Sequence, residues 1–198
     1  MVDAIPDLVR QALATRTLQV INDPGLKPSA VLLLMYPKDG EHCVLFNKRT
    51  DEVEFNKGEI CFPGGGADPC DPNLAATALR EAFEEMGINP KDVTILGQLD
   101  DTTTRAGFVM HPFVGAIPYP YQFKPSPIEV AEVLEVPISV LLDRQNIREE
   151  MRVQSDGQLA RALTYVYGRQ LIYGATARIL HQFLVILKGT GIEEATSI

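Results

Sequence analysis

The stretch from Gly66 to Ile88, GADPCDPNLAATALREAFEEMGI, constrains this chain more than any other. Leu74, Ala75, Ala78, Leu79, Ala82 and Met86 recur at helical spacing and make an apolar stripe. Asp71 suits the N-cap, and Pro72 suits the first helical position, where its missing N–H costs nothing. Gly87 suits the stop and Pro90 prevents continuation. Against this ordinary frame, Glu81, Glu84 and Glu85 crowd the final turn. Residues three or four apart share a helix face. A helix C-terminus carries partial negative charge, so each carboxylate there costs roughly 0.3–1 kcal/mol, and the Glu81/Glu85 pair adds a smaller penalty of the same sign. Selection for stability alone would place Lys or Arg in this turn. A divalent cation held by oxygen ligands compensates the repulsion. Arg80 precedes Glu84 by one helical turn and is placed to orient it through a charged hydrogen bond. Just upstream, Phe62-Pro63-Gly64-Gly65-Gly66 forms a loop whose backbone can approach a metal or a phosphate closely. The plainer alternative, a solvated acidic helix end, leaves the Arg80 spacing, the glycine loop and the repulsion without a cause.

The rest of the chain reads as one domain of mixed α/β (α+β) class. A helix is expected over Asp3 to Thr15. Strands follow at Ser29 to Tyr36 and Glu41 to Asn47, joined by a Pro37-Lys38-Asp39-Gly40 turn. A loop from Asp51 to Gly58 leads to a short strand at Glu59 to Phe62. After the acidic helix, strands are expected at Val93 to Asp100 and Met110 to Ile117. The proline-rich stretch Pro118 to Pro127 reads as a loop. Glu129 to Val136 reads as extended, and Ile138 to Leu142 as a short helix. Asn146 to Val153 and Ala162 to Tyr167 read as strands flanking Ser155-Asp156-Gly157, with a closing helix at Ala175 to Leu187. Strands mixed with a few helices, without regular βαβ alternation, predict a mixed sheet covered by helices on both faces. The divisions expected are an N-terminal helix and lead-in over 1–28, the main domain over 29–190 and a tail over 191–198. Net charge is −8, which argues against a nucleic-acid-binding surface. No run of eighteen apolar residues predicts a membrane span. The N-terminus lacks the character of a secretory signal or a transit peptide. Cys43, Cys61 and Cys70 are unpatterned and read as reduced thiols of a cytoplasmic protein; zinc is a weak alternative without a Cys-x-x-Cys or a His pair.

These residues resemble the signature of the Nudix hydrolases: Gly, five residues, Glu, seven residues, then Arg-Glu-U-x-Glu-Glu-x-Gly-U, with U apolar. The opening glycine is Gly66 and the closing run is Arg80 to Ile88, with Pro72 where the first Glu belongs. The upstream stretch is similar to a coenzyme A pyrophosphatase branch, which reads Leu-Leu-Thr-x-Arg-[Ser/Ala], then Arg, Gly and Phe-Pro-Gly-Gly. Leu45-Phe46-Asn47-Lys48-Arg49-Thr50, Glu54, Gly58 and Phe62-Pro63-Gly64-Gly65 keep its spacing, with Asn47, Thr50 and Glu54 departing from it. That branch tends to carry Asp residues after the double glycine, as Asp68 and Asp71 do here. The segments Pro127 to Pro137 and Ile172 to Leu180 look like its later parts, with Tyr173 where Trp is usual. The resemblance spans Ala30 to Leu187 and implies a Nudix-type α/β/α sandwich with a mixed central sheet.

The implied chemistry is metal-dependent cleavage of a pyrophosphate bond. A diphosphate is anionic and resists attack by water; divalent ions neutralise its oxygens and orient the attack. Magnesium fits hard carboxylate ligands best, and manganese can substitute. Glu81, Glu84 and Glu85 are assigned as metal ligands, directly or through water, with Glu84 and Arg80 also in the catalytic set; the resemblance adds the Gly65 carbonyl. In related enzymes the general base is a signature glutamate or an acidic residue on a later loop. Glu129 is the choice here over Glu132 and Glu135, against the plain reading of E-V-A-E-V-L-E-V as an alternating strand. Arg49 and Lys57 are candidate phosphate contacts, or surface partners of Asp51, Glu52 or Glu54. Phe62 is a candidate substrate contact or a core residue. His111, Tyr165, Tyr167 and Tyr173 read as structural. The substrate implied is coenzyme A or acyl-CoA, giving adenosine 3′,5′-bisphosphate and (acyl-)4′-phosphopantetheine. Alternatives are ADP-ribose, nucleoside triphosphates or dinucleotides, or a catalytically silent metabolite-binding module. The expected partner is thus a small nucleotide, with neither nucleic acid nor membrane; the oligomeric state is open, a homodimer being compatible.

Overall fold

The structure, a computed structural model, describes residues 4–53, 56–153 and 157–191. Its elements in chain order are α1 (Ile5–Thr15), β1 (Lys27–Lys38), β2 (Glu41–Arg49), β3 (Ile60–Cys61), β4 (Gly64–Gly66), α2 (Leu74–Met86), β5 (Thr94–Gln98), β6 (Thr102–Thr103), β7 (Phe108–Ala116), β8 (Val130–Pro137), α3 (Ile138–Leu142), β9 (Ile147–Val153), β10 (Leu159–Tyr167), β11 (Gln170–Ile172) and α4 (Gly174–Gly189).

The long apolar run of β1 is a central strand covered on both faces, as such runs tend to be. It pairs parallel with β7 on one side and antiparallel with β2 and β4 on the other. β3 and β8 extend the sheet from β2, and β5 and β6 from β7. Alternate residues of β1 point to opposite faces. Ala30, Leu32, Leu34 and Tyr36 pack with Ala78, Ala82 and Met86 of α2. Val31, Leu33 and Met35 pack with Val9 and Leu13 of α1 and with Leu180, Phe183 and Leu184 of α4. The result is a mixed sheet between helical layers. β9, β10 and β11 form a separate three-stranded antiparallel sheet. Among the described residues, no helix is long and apolar enough to cross a membrane.

Several boundaries move. β1 and β2 run on through Pro37↔His42 and Lys38↔Glu41, so the turn shrinks to Asp39-Gly40. Both have positive φ, 52° and 88°, the conformation of a two-residue turn matched to strand twist. The acidic helix starts at Leu74, capped by the Asn73 side chain, which accepts from Ala76 N at 2.9 Å. Asp71 is therefore not the cap, and Pro72 precedes the helix. Gly64–Gly66, expected as loop, is a strand, because β1 offers Ser29 to Val31 as partners. Glu129 ends a turn just before β8 instead of opening the strand. α1 is seated so closely that a Cβ on Gly97 would lie 2.7 Å from Leu13 Cβ. Glu54, Ser155 and Asp156 lie outside the described residues.

Candidate active site

The glycines of β4 bring backbone and carboxylates together. A Cβ on Gly64 would meet the Ala30 carbonyl oxygen at 2.4 Å, and one on Gly65 would meet the Glu81 carboxylate at 2.5 Å. Real Cβ contacts do not come this close, so β4 can lie against β1 while Glu81 rests on its backbone only because both positions are glycine. Leu32 N donates to the Pro63 carbonyl at 2.8 Å and holds the loop in register.

Arg80 sits at the centre of the acidic patch. Its Nε and one terminal nitrogen make a bidentate pair with Asp71, both bonds at 3.0 Å. The other terminal nitrogen donates to Glu81 at 2.8 Å and to Glu84 at 2.9 Å, and a further bond reaches the Gly66 carbonyl at 3.0 Å. Hydrogen bonding from Arg80 holds the Asp71 carboxyl well below its ordinary range. Burial pushes Glu81 the other way, above the ordinary carboxylate value, with Arg80 opposing and the Glu84 and Glu129 charges adding to the rise.

Glu85 points inward and is only 1% exposed. Its Oε2 accepts from Asn47 Nδ2 at 2.8 Å and from Gly64 N at 3.2 Å; Oε1 faces the Arg49 guanidinium at 3.5 Å. Asn47, also 1% exposed, takes the Cys61 thiol as donor on its Oδ1 at 2.7 Å. Burial raises the Glu85 carboxyl to about 7 against the opposing pull of Arg49 and Gly64, and the Glu129 and Glu81 charges raise it further. Beyond Glu85 the helix ends at Gly87, φ 68°, whose N–H bonds the Phe83 carbonyl. Lys124 N and Ser126 N donate to the Met86 and Glu85 carbonyls, so the proline-rich segment satisfies the open end of the helix.

The structure therefore gathers Glu81, Glu84, Glu85, Arg80, Gly65 and Arg49 in one patch, with the Glu129 charge felt by Glu81 and Glu85. Glu132 accepts from Gln170, and Glu135 accepts from Tyr36 and Lys38, so both have partners away from the patch. Lys57 is exposed in the turn before β3. Phe62 is not a substrate contact: it is 2% exposed and stacks on Phe46 at 4.8 Å, because the β3–β4 connection folds over the core. His111 lies against Asp101, Nδ1 to Oδ1 2.8 Å, which suits its structural reading. Tyr165 is core, but Tyr173 is 38% exposed and donates to Glu59, since it precedes α4 at the surface. Sequence reasoning missed Asn47 as the inner partner of Glu85 and Asp71 as the partner of Arg80. The available signal for Asn47 was an uncharged polar side chain directly after the apolar run Cys43 to Phe46 of β2.

Among the described residues, no three His, Cys, Asp or Glu side chains are already gathered as a metal cage. Arg80 draws Glu81 and Glu84, while Asn47 and Gly64 draw Glu85. The donor chemistry nevertheless fits a hard divalent cation. The groups are carboxylate oxygens, and desolvation together with mutual repulsion has raised Glu81 and Glu85, a cost that a cation relieves.

Three comparisons with known proteins agree with this geometry. The NUDIX domain family model matches residues 26–152. The chain is 38% identical over 154 residues to a protein of Photorhabdus laumondii named uncharacterized Nudix hydrolase NudL, covering 78% of this chain and 81% of the relative. It is 37% identical over 141 residues to the protein of that name in Pectobacterium atrosepticum, covering 70% and 72%. Among solved structures, a NUDIX hydrolase from Alicyclobacillus acidocaldarius matches with a TM-score of 0.51 and 16% identity, over 87% of this chain and 96% of that one. An Ap4A hydrolase from C. elegans in a binary complex matches with a TM-score of 0.50 and 16% identity, over 59% and 84%. The two structures share the fold with this chain. The family match over the acidic helix and its glycine loop, together with the two relatives, leads to one conclusion: the chain belongs to the Nudix family, as a hydrolase acting on pyrophosphate bonds.

Proposed function

We propose that the substrate is coenzyme A or an acyl-CoA, cleaved to adenosine 3′,5′-bisphosphate and (acyl-)4′-phosphopantetheine with Mg²⁺ as the preferred cation and Mn²⁺ as a substitute. The observation that carries the reading is the convergence of Glu81, Glu84, Glu85 and the Glu129 charge on the Gly64–Gly66 strand beside Arg49. The choice of substrate is supported by the spacing from Leu45 through Arg49 to Phe62-Pro63-Gly64-Gly65, which is similar to the coenzyme A branch.

Glu81, Glu84 and Glu85, with the Gly65 carbonyl, would hold the cation. When bound, it neutralises diphosphate oxygens and makes water a better nucleophile. Arg80 orients Glu81 and Glu84 while Asp71 fixes Arg80 from behind. Arg49 and Lys57 contact phosphate oxygens. Glu129 takes a proton from the attacking water, whose oxygen bonds to phosphorus as the bridging oxygen departs with the electron pair.

A substrate panel with product identification tests this reading. It comprises coenzyme A, acetyl-CoA, 3′-dephospho-CoA, ADP-ribose, a dinucleoside polyphosphate and a nucleoside triphosphate, each with Mg²⁺, Mn²⁺ or chelator. Preferred hydrolysis of coenzyme A, with loss of preference when the 3′-phosphate is missing, is the expected result. Indifference to the 3′-phosphate, or faster turnover of another member, overturns the substrate. Absence of turnover throughout favours a metabolite-binding module.

A further inference from the structure

We propose that β9 is the seam of a homodimer, pairing antiparallel with β9 of a second copy about a two-fold axis through Met151. β9 pairs with β10 on one edge, and its other edge meets no strand among the described residues. It is exposed from Arg148 to Val153 and carries no proline to blunt that edge. Met151, Val153 and Leu159 form a cross-strand apolar group 62%, 66% and 65% exposed, with Val153 opposite Leu159. Exposed apolar side chains beside an unpaired strand edge are a template for adding a strand.

The sequence of β9 selects the occupant. On one face, Glu150 and Arg152 are alternate residues joined by hydrogen bonds of 2.9 and 3.2 Å. In an antiparallel pairing centred on Met151, Glu150 of each copy stands opposite Arg152 of the other, and the two ion pairs close into a ring of alternating charge. The other face sets Met151 against its own copy, with each Val153 beside it and Leu159 on the next strand. Glu149 stands opposite Val153 of the other copy on that face, with its carboxylate already held by Arg161 of its own copy. Opposite charges directly across a strand pair stabilise it, and like charges there destabilise it. A pairing centred on Glu150 opposes that carboxylate to its own copy and Arg148 to Arg152. The Met151 axis brings no like charges together and keeps both Glu150–Arg152 pairs. A self-complementary patch is what a two-fold interface requires.

Sedimentation equilibrium of the full chain tests this, with circular dichroism and pyrophosphate hydrolysis per protomer as folding controls. The parent is expected to show a concentration-dependent dimer. Glu150→Arg and Arg152→Glu should each raise the dissociation constant at least tenfold. A mixture of these two variants should recover a heterodimer, because one copy then presents two arginines across the seam and the other two glutamates. The double variant carrying both changes should recover the homodimer. A parent that stays monomeric over the accessible concentration range overturns the proposal. So does a dimer indifferent to the single reversals, or a mixture that remains dissociated.

Discussion

Glu85→Gln isolates the cost of holding a buried carboxylate in the absence of its cation. The Glu85 carboxyl is raised from 4.5 to about 7, chiefly by burial. Between those values the folded protein holds a proton that the unfolded chain has released. Stability from this group is therefore fully present below pH 4.5 and is lost as pH rises through about 7. At roughly 1.4 kcal/mol per pH unit, the gap amounts to about 3 kcal/mol. The substituted amide keeps an oxygen to accept from Asn47 and Gly64 but has no charge to desolvate. Urea unfolding with chelator, at steps from pH 4.5 to 8.5, gives the difference between parent and variant. Their stabilities should diverge across this window in favour of the variant by about 3 kcal/mol at the alkaline end. Mg²⁺ or Mn²⁺ added above pH 7 should restore the parent alone. Parallel pH profiles for the two proteins refute the argument, because they mean that Glu85 ionises as an ordinary carboxylate.

Asn47→Ala removes the donor that fixes Glu85 and leaves the Cys61 thiol without its acceptor; Mn²⁺ affinity by electron paramagnetic resonance should fall roughly 10–100-fold, the usual scale for an outer partner of a metal ligand. Gly65→Ala sets a methyl group 2.5 Å from the Glu81 carboxylate; kcat should collapse while circular dichroism is unchanged. Leu13→Ala empties a buried position where α1 meets Gly97 and should cost about 2–5 kcal/mol in urea unfolding. A loss under about 1 kcal/mol would mean that α1 is only loosely seated.

The elements that could be read from the sequence carry their signal in local order. The unbroken apolar run of β1, the Leu74-to-Met86 stripe and the Gly87 stop each state their environment within a few residues. The conflict between three glutamates and a helix C-terminus is equally local. What escaped depends on partners distant in the chain. Asn47 and Glu85 are 38 positions apart and meet only because α2 packs against β1 and β4, which carries Glu85 to the neighbouring strand β2. Asp71 has good cap chemistry, but Arg80 engages it with two charged bonds and leaves the cap to Asn73. Phe62 looks equivalent to a ligand contact until the β3–β4 connection turns it against Phe46.

The Asp71–Arg80 pair also accounts for the departure at Pro72. Proline removes a carboxylate from the signature position, yet the residue before it supplies one, and the guanidinium meets that carboxylate with both arms. Arg80 is then shared among Asp71, Glu81 and Glu84, while Arg49 approaches Glu85 at a longer distance. Two guanidinium groups thus stand against five carboxylates once Glu129 is counted, which leaves the ionised patch negative. A diphosphate is repelled by such a patch. Positive charge from outside the chain must enter before or together with the substrate, and the two carboxylates raised by burial lie where it relieves the most. The repulsion that makes α2 a poor helix end is in this sense the source of the affinity that its family's chemistry needs.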